Sequence, residues 1–282
     1  MSGFIEAVLH HSFMQNALLT GLLAGIACGI VGTYVITRRI TYIAGAISHC
    51  VLGGIGAARY FQVVYHLPWL QPLYGAIVAA LLAALIIGLV SLRSKQREDT
   101  VIGAIWAIGM AVGIIFISRT PGYGVELMSY LFGNILMVSS NDLWLIAILD
   151  AVVLLTTLLF YNQLQSVCFD SEFAGLRGVR VELFYLLLLG LTALTVVLLV
   201  SVVGIVLVIA LITLPAAMAG NWAKNLAQMM LLAILFSVLF TTSGLAVSYA
   251  PNLPAGGTII VLSGIAYFAA LLLRRLFRRR PA

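Results

Sequence analysis

Apolar segments of the length of a membrane-spanning helix alternate with short polar stretches along the whole chain. The hydrocarbon core of a bilayer is about 30 Å thick, and an α-helix of about 20 apolar residues crosses it. Only "VSVVG" separates the sixth segment from the seventh, so we expect either a tight hairpin or a broken helix there. A short, half-buried element is predicted at 126–139. The pattern predicts an all-α bundle of eight or nine spans, at roughly 17–37, 41–65, 72–92, 100–118, 143–162, 183–200, 202–219, 226–247 and 258–273.

The composition leaves no room for a soluble domain. Hydrophobic residues make up 63% of the 282 residues and charged residues 9%, whereas soluble domains average about 45–50% and about 25%. The polar stretches contain no linker or low-complexity tract, so we expect one integral membrane domain over residues 1–282. No lysine or arginine precedes Arg38, which argues against a cleaved signal peptide. The three cysteines form no CxxC pair, and no disulfide framework is expected.

The positions of the basic residues predict how the chain is oriented in the membrane. Lysine and arginine concentrate in the cytoplasmic loops of membrane proteins. With the N-terminus outside, nine spans bring thirteen of the fifteen basic residues to the inside and put the C-terminus in the cytoplasm. The tail "RRLFRRR" is then expected to bind anionic lipid headgroups rather than nucleic acid.

Small residues at helical spacing predict where helices pack closely. Gly21, Gly25 and Gly29 lie on one face of the first span, and Gly109 and Gly113 repeat the spacing in the fourth. Such stripes let two backbones approach each other in lipid. We interpret both as packing surfaces without chemistry.

His49 is the first candidate functional residue, because an ionisable group at membrane depth is costly. Gly45 precedes it by four residues, and Gly53 and Gly56 follow it by four and seven, all on the same face of the second span. That face suits either the wall of a pathway or close contact with a partner helix. A neutral imidazole is a common ligand for first-row metals, although a buried histidine is also often a packing residue. Ser48 precedes His49, but adjacent side chains on a helix point about 100° apart and cannot form a nucleophile–base pair.

Asp150, near the middle of the fifth span, is the second candidate. It could be a cation ligand, a protonated hydrogen-bond donor, or the partner of a residue on another helix. The sequence leaves these three possibilities open.

A polar stretch at 163–181 predicts a short helix on the inner side, at about 170–178. Asp170 or Ser171 can cap it, Glu172 suits its positive first turn, and Gly178 can end it. The chain has no GxxxxGK[ST] loop, so any use of ATP requires a separate subunit. The short helix is therefore a candidate docking element for such a subunit.

Five stretches, in this order, resemble the permeases of zinc, manganese and iron ATP-binding-cassette (ABC) importers. The resemblance covers about Thr20 to Leu273. The stretches are "YVITRRITYIAGAISHCVLGGIG", "ELMSYLFGNIL", "FDSEFAGLRGV", "VVGIVLVIALITLPAAMA" and "SGLAVSYAPNLPAGGTIIVL".

The resemblance implies a type II ABC importer-like permease of the bacterial inner membrane, which acts as a homodimer and is not itself an enzyme. Its partners would be a cytoplasmic ABC ATPase dimer and an extracytoplasmic metal-binding protein. No permanently bound cofactor is expected: the cargo is a divalent metal, and ATP binds only the ATPase. The short helix, with Asp170, Glu172, Ala174 and Gly178, would be the coupling helix that contacts the ATPase.

The resemblance also implies a metal translocation pathway, with His49 as the metal ligand and Ser48, Asn134 and Asp150 beside it. The family has an aspartate four residues before the histidine, where this chain has Gly45, and a second acid where it has Asn134. Asp150 could replace the lost charge, or the cargo could be a metal chelate that needs fewer direct ligands.

A secondary transporter driven by an ion gradient is the alternative. Such a protein would be expected to carry several intramembrane acids or an inverted repeat. A purely structural membrane subunit and an intramembrane enzyme are the remaining alternatives.

Overall fold

The computed structural model describes residues 2–93, 98–121, 131, 133, 135–249, 251 and 253–278, and within these ranges no residue is in a β-strand. The predicted all-α class is thereby confirmed. The helices, numbered in chain order, are α1 (Ser2–His10), α2 (Ser12–Arg38), α3 (Thr41–Val64), α4 (Pro72–Arg93), α5 (Glu98–Arg119), α6 (Ser140–Phe169), α7 (Ser171–Leu176), α8 (Val181–Val203), α9 (Ile205–Ala219), α10 (Leu226–Tyr249) and α11 (Ala255–Arg278).

Eight helices of the described chain are long and apolar enough to cross a membrane, namely α2, α3, α4, α5, α6, α8, α10 and α11. The segment predicted at 202–219 forms α9, which has only 15 residues. At about 1.5 Å per residue it is about 22 Å long, less than the about 30 Å of a hydrocarbon core. The element predicted at 126–139 lies largely outside the described residues, apart from a 3₁₀ turn at Ile135–Met137.

A single glycine joins α8 to α9. Gly204 has φ 88° and ψ 158°, a conformation that is essentially restricted to glycine, and it ends one helix and starts the next. The start of α8 lies near the end of α2, where the Arg38 guanidinium stands 5.6 Å from the centre of the Tyr185 ring. The end of α9 lies there too, because Ala216 and Ala219 belong to a buried cluster against which Ile36 packs. The chain therefore reverses direction at Gly204, as a tight hairpin does.

Other helix ends lie on the same face of the bundle as the end of α2. The hydroxyls of Tyr185 and Ser91 are 3.1 Å apart, which brings the end of α4 beside the start of α8. Arg274 of α11 donates a hydrogen bond to Asn221, just after α9. We call this surface the basic face, because the basic residues at these helix ends lie on it: Arg38, Arg93, Arg177, Arg180, Lys224 and Arg274.

Glycines let α2 pack closely against α10, as the stripe in the first span predicts. A Cβ atom on Gly21 would stand 2.3 Å from Thr241, and one on Gly29 would stand 2.5 Å from Ile234. These contacts run in opposite chain directions, so α2 and α10 are antiparallel. Only residues without a side chain permit this approach.

The bundle has a buried centre and an apolar exterior. The spans α2, α3 and α8 are mostly enclosed by other helices, whereas α5, α6 and α11 are mostly exposed. Their outward side chains are large and apolar, for example Ile108, Leu158 and Phe268. Apolar side chains on the outside of a membrane bundle contact lipid.

The longest helix, α6, has 30 residues and a local irregularity. Ser139 and Asp142 form a reciprocal capping box at its start. Phe160 has non-helical backbone angles, φ −118° and ψ 21°, which mark a kink. The helix ends at Phe169 on the basic face, directly before α7.

Candidate translocation site and coupling helix

His49 lies on α3 with its imidazole stacked on the indole of Trp106 from α5. The ring centroids are 4.6 Å apart and the planes differ by 21°. The side chain is partly buried, and its Nδ1 atom is buried without a hydrogen-bond partner among the described residues. An imidazole that is held in place by stacking, and whose nitrogen is unpaired, can accept a proton or bind a metal ion.

Gly45 provides the space for this stack. A Cβ atom at Gly45 would stand 2.9 Å from Cζ3 and 3.2 Å from Cη2 of Trp106. The indole therefore occupies the volume that a side chain one turn before His49 would need. The sequence prediction missed Trp106. Trp106 lies three residues before Gly109, on the same face as the predicted packing stripe of the fourth span. That spacing could have indicated that Trp106 faces α3.

The other glycines of the His49 face contact α5 directly. A Cβ atom on Gly53 would stand 2.7 Å from the carbonyl oxygen of Gly109, and one on Gly56 would stand 2.7 Å from that of Gly113. The sequence left two interpretations of this face open, the wall of a pathway and close contact with a partner helix. At Gly53 and Gly56 the structure shows close contact with a partner helix. The two predicted glycine stripes thus meet each other, and because both contacts run in the same chain direction, α3 and α5 are parallel.

Ser48 points into the bundle rather than beside the imidazole. It is fully buried, and its hydroxyl donates a 2.8 Å hydrogen bond to the carbonyl oxygen of Ala44 in its own helix. Asn134, the other polar residue predicted for the pathway, lies outside the described residues. Ser48 is therefore satisfied within α3 and has no free donor to offer a cargo.

Asp150 is buried between α6 and α2, with an exposed fraction of 4%. Its carboxyl lies close to Cys28 and to the backbone of Ala27, both on α2. Neither carboxyl oxygen has a hydrogen-bond partner among the described residues. Asp150 faces α2 whereas His49 faces α5, so a single protomer does not bring the two candidates together.

The described residues contain no group of three or more histidine, cysteine, aspartate or glutamate side chains that could hold a metal ion. Cys28, Cys50 and Cys168 are buried free thiols.

The short helix predicted on the inner side is present as α7. The Asp170 carboxylate caps it by accepting a 2.9 Å hydrogen bond from the backbone N–H of Phe173. Glu172 lies in the first turn, and Ala174 is buried with an exposed fraction of 1%. Gly178 follows the helix with φ 80°, a left-handed conformation that favours glycine.

Apolar side chains are exposed on α7, although this helix lies on the basic face. Phe173 and Leu176 have exposed fractions of 52% and 88%. The Arg177 guanidinium stands 5.0 Å from the centre of the Phe173 ring. Exposed apolar groups that are rimmed by charged groups are typical of a protein–protein contact surface.

Comparison with known proteins places these features in one family. The model of the ABC 3 transport family matches residues 10–274. A probable metal transport system membrane protein of Chlamydia pneumoniae is 41% identical over 275 residues, which cover 96% of this chain and 94% of that protein. The manganese transport system membrane protein MntC of Listeria monocytogenes is 34% identical over 270 residues, covering 95% and 93%.

A solved structure agrees with these sequence matches. PsaBC from Streptococcus pneumoniae, determined in complex with Fab, superposes with a TM-score of 0.83 and 33% sequence identity. The match covers 95% of this chain and 94% of the other. The sequence resemblance is thereby confirmed: the chain belongs to the ABC 3 transport family.

Proposed function

We propose that this chain is the permease subunit of an ABC importer that carries a divalent transition metal ion, zinc, manganese or iron, into the cytoplasm. The observation that carries the proposal is the match of nearly the whole chain to the ABC 3 transport family. Relatives that cover the chain at 34–41% identity are named as metal or manganese transport membrane proteins, which supports a metal as cargo.

The proposed assembly is a homodimer of this chain with a cytoplasmic ABC ATPase dimer and an extracytoplasmic metal-binding protein. Residues 1–282 would form one permease domain, without a nucleotide-binding loop of its own. The capped helix α7, with its exposed Phe173 and Leu176, supports docking of the ATPase at the basic face. That face would be cytoplasmic, because lysine and arginine concentrate on the inside of membrane proteins.

We further propose that His49 binds the metal ion on its way through the membrane. Its unpaired, buried Nδ1 atom supports this role. Imidazole binds zinc, manganese and iron, and geometry and availability rather than affinity alone select among them. ATP binding would bring the two ATPase subunits together, move α7 and so rock the spans, which alternates the access to His49.

The test is transport by the chain reconstituted in proteoliposomes with its ATPase and binding protein. We expect metal-loaded binding protein to stimulate ATP hydrolysis, and uptake of Mn(II), Zn(II) or Fe(II) to require ATP. Efficient uptake of the free ion at low concentration would exclude a chelate as the obligatory cargo. Uptake that proceeds without ATP and follows an imposed ion gradient would contradict the proposal and favour a secondary transporter.

A further inference from the structure

The seam between α3 and α5 continues from His49 toward the basic face. Asp99 lies seven residues before Trp106 on α5, and Tyr42 lies seven residues before His49 on α3. Seven residues are about two helical turns, so each pair shares a face and spans about 10 Å along its helix. The parallel register of the two helices therefore brings Tyr42 and Asp99 to the same level.

A cavity of about 450 Å³ opens at this level. It is lined by Tyr42, Asp99, Ile102, Gly103 and Trp106. Its walls thus include a carboxylate and a phenol hydroxyl. No hydrogen bond or ion pair joins Asp99 to another residue in the described part of the chain.

A second, larger cavity along α3 and α5 has no carboxylate in its wall, so the presence of Asp99 distinguishes the smaller cavity. It has about 880 Å³ and lies between α3, α4 and α5. It is bordered by glycine, aliphatic and aromatic residues and by Cys50, without a carboxylate, imidazole or amide group. Apolar walls of this kind suit lipid chains. The smaller cavity, by contrast, offers an oxygen ligand.

Trp106 contacts both the smaller cavity and His49. One part of its side chain lines the cavity, and its ring also stacks on the imidazole. Gly45, which has no side chain, lets the indole lie at this position. The indole is thus the side chain that links the wall of this cavity to the imidazole.

We propose that this cavity is a second cation site, in which the Asp99 carboxylate binds the divalent metal ion after it leaves His49, with Trp106 as the barrier between the two positions. The inference rests on the proposed function. One carboxylate with water as the remaining ligands suits Mn(II) or Fe(II) and allows release. Asp99 then supplies, from α5, the negative charge that α3 lacks at Gly45.

The experiment compares Asp99→Asn with Glu182→Gln in the reconstituted complex with its ATPase and binding protein. Glu182 is a matched control, because it is an exposed acid in the first turn of another helix on the basic face. Equilibrium binding of radioactive Mn(II) to the purified permease–ATPase complex counts the sites, and ATP-driven uptake measures transport. Asp99→Glu, which keeps the carboxylate, is the rescue variant.

We expect the wild type to bind Mn(II) in two classes, and Asp99→Asn to lose the weaker class and about tenfold in uptake, a typical loss for a missing metal contact. Asp99→Glu should recover both, and Glu182→Gln should behave as the wild type. Equal binding and uptake by Asp99→Asn, or an equal loss in Glu182→Gln, would overturn the inference while leaving the proposed function intact. A wild type that neither binds nor imports metal would instead refute the proposed function.

Discussion

At the scale of single residues, the surroundings of His49 depend on a side chain that is missing. Because Gly45 has no Cβ atom, the Trp106 indole fills the space one turn before the imidazole. A carboxylate at that position and Trp106 in its present position are mutually exclusive. The local chemistry of α3 is therefore one imidazole against an aromatic wall.

Gly45→Asp should destabilise the protein by about 1–3 kcal/mol, the usual cost of overpacking. The aspartate Cβ atom would stand within 3 Å of the indole, at 2.9 Å from Cζ3. The double variant Gly45→Asp/Trp106→Ala should recover the loss caused by this clash and add a carboxylate one turn before His49. Thermal unfolding of the purified complex measures the change in stability. The affinity for Mn(II) shows whether the added carboxylate contributes to metal binding.

Gly190→Ala is the control for the single variant, since a Cβ atom there meets nothing within 4 Å. It should unfold at the wild-type temperature or slightly above it, because alanine favours the helix. Unaltered stability of Gly45→Asp would show that Trp106 moves aside freely, which contradicts a fixed barrier.

Asp150→Asn should leave folding intact and reduce metal uptake. The amide has nearly the shape of the carboxyl but no charge, and both carboxyl oxygens are buried without partners. An ionisable group at membrane depth is a functional candidate. Its removal should therefore lower the rate of metal uptake and leave the unfolding temperature unchanged. ATP-driven uptake and thermal unfolding are measured on the same preparation.

Ser237→Ala serves as the comparison for Asp150→Asn, because Ser237 also has a buried oxygen without a hydrogen-bond partner in the described structure. It carries no charge and should import metal at the wild-type rate. Wild-type uptake by Asp150→Asn would remove Asp150 from the predicted pathway.

The sequence identifies His49 and its glycine face, because spacings of four and seven residues place groups on one side of any helix. It does not identify Trp106 or Asp99. Their positions depend on which helix packs against α3 and in which register, and two glycine stripes that fit each other decide this in three dimensions. Hydropathy contains no such pairing information.

At the scale of elements, α3 and α5 are held together backbone to backbone. Gly53→Ala should destabilise the bundle, because its methyl group would stand 2.7 Å from the Gly109 carbonyl oxygen, which belongs to the backbone and cannot rotate away. A loss of about 1–3 kcal/mol is expected. Gly190→Ala is again the matched control, and the temperature of half-unfolding is the measurement. Equal unfolding temperatures would mean that the two helices can separate without cost.

The coupling assignment makes a prediction for α7. Glu172→Arg reverses the charge in its first turn, and Gly178→Trp forces a bulky residue into a left-handed conformation with φ 80°. Both should uncouple ATP hydrolysis from transport while the protein still inserts into the membrane. Hydrolysis and uptake are measured together in proteoliposomes. Normal transport by both variants would refute the docking role of α7.

The sequence predicts the existence and order of the long helices well, since each needs only a run of apolar residues. The segment at 202–219 is the instructive exception. Its hydropathy matches a full span, yet Gly204 adopts φ 88° and begins a helix of 15 residues. A backbone angle leaves no trace in hydropathy, and glycine occurs at many positions where it needs no special angle.

At the scale of the whole molecule, the basic face predicts the orientation in the membrane. Leu176→Cys on α7 and Trp69→Cys between α3 and α4 are suitable probes, with exposed fractions of 88% and 66% at the native side chains. In intact cells a membrane-impermeant maleimide should label Trp69→Cys and not Leu176→Cys. The native thiols are buried, so the wild type is the unlabelled control. Labelling with the opposite preference would invert the proposed orientation.

The length of α6 has a mechanical consequence. Its 30 residues extend about 45 Å, about 15 Å more than the hydrocarbon core requires. The end that leads into α7 carries four polar residues, Asn162, Gln163, Gln165 and Ser166. From the kink at Phe160 to Asp170 this end is a lever arm of about 15 Å, so a bend of about 20° moves its tip by about 5 Å. If α7 docks the ATPase as proposed, a push on α7 would rotate this end about the kink at Phe160, while the remainder of α6 stays in place.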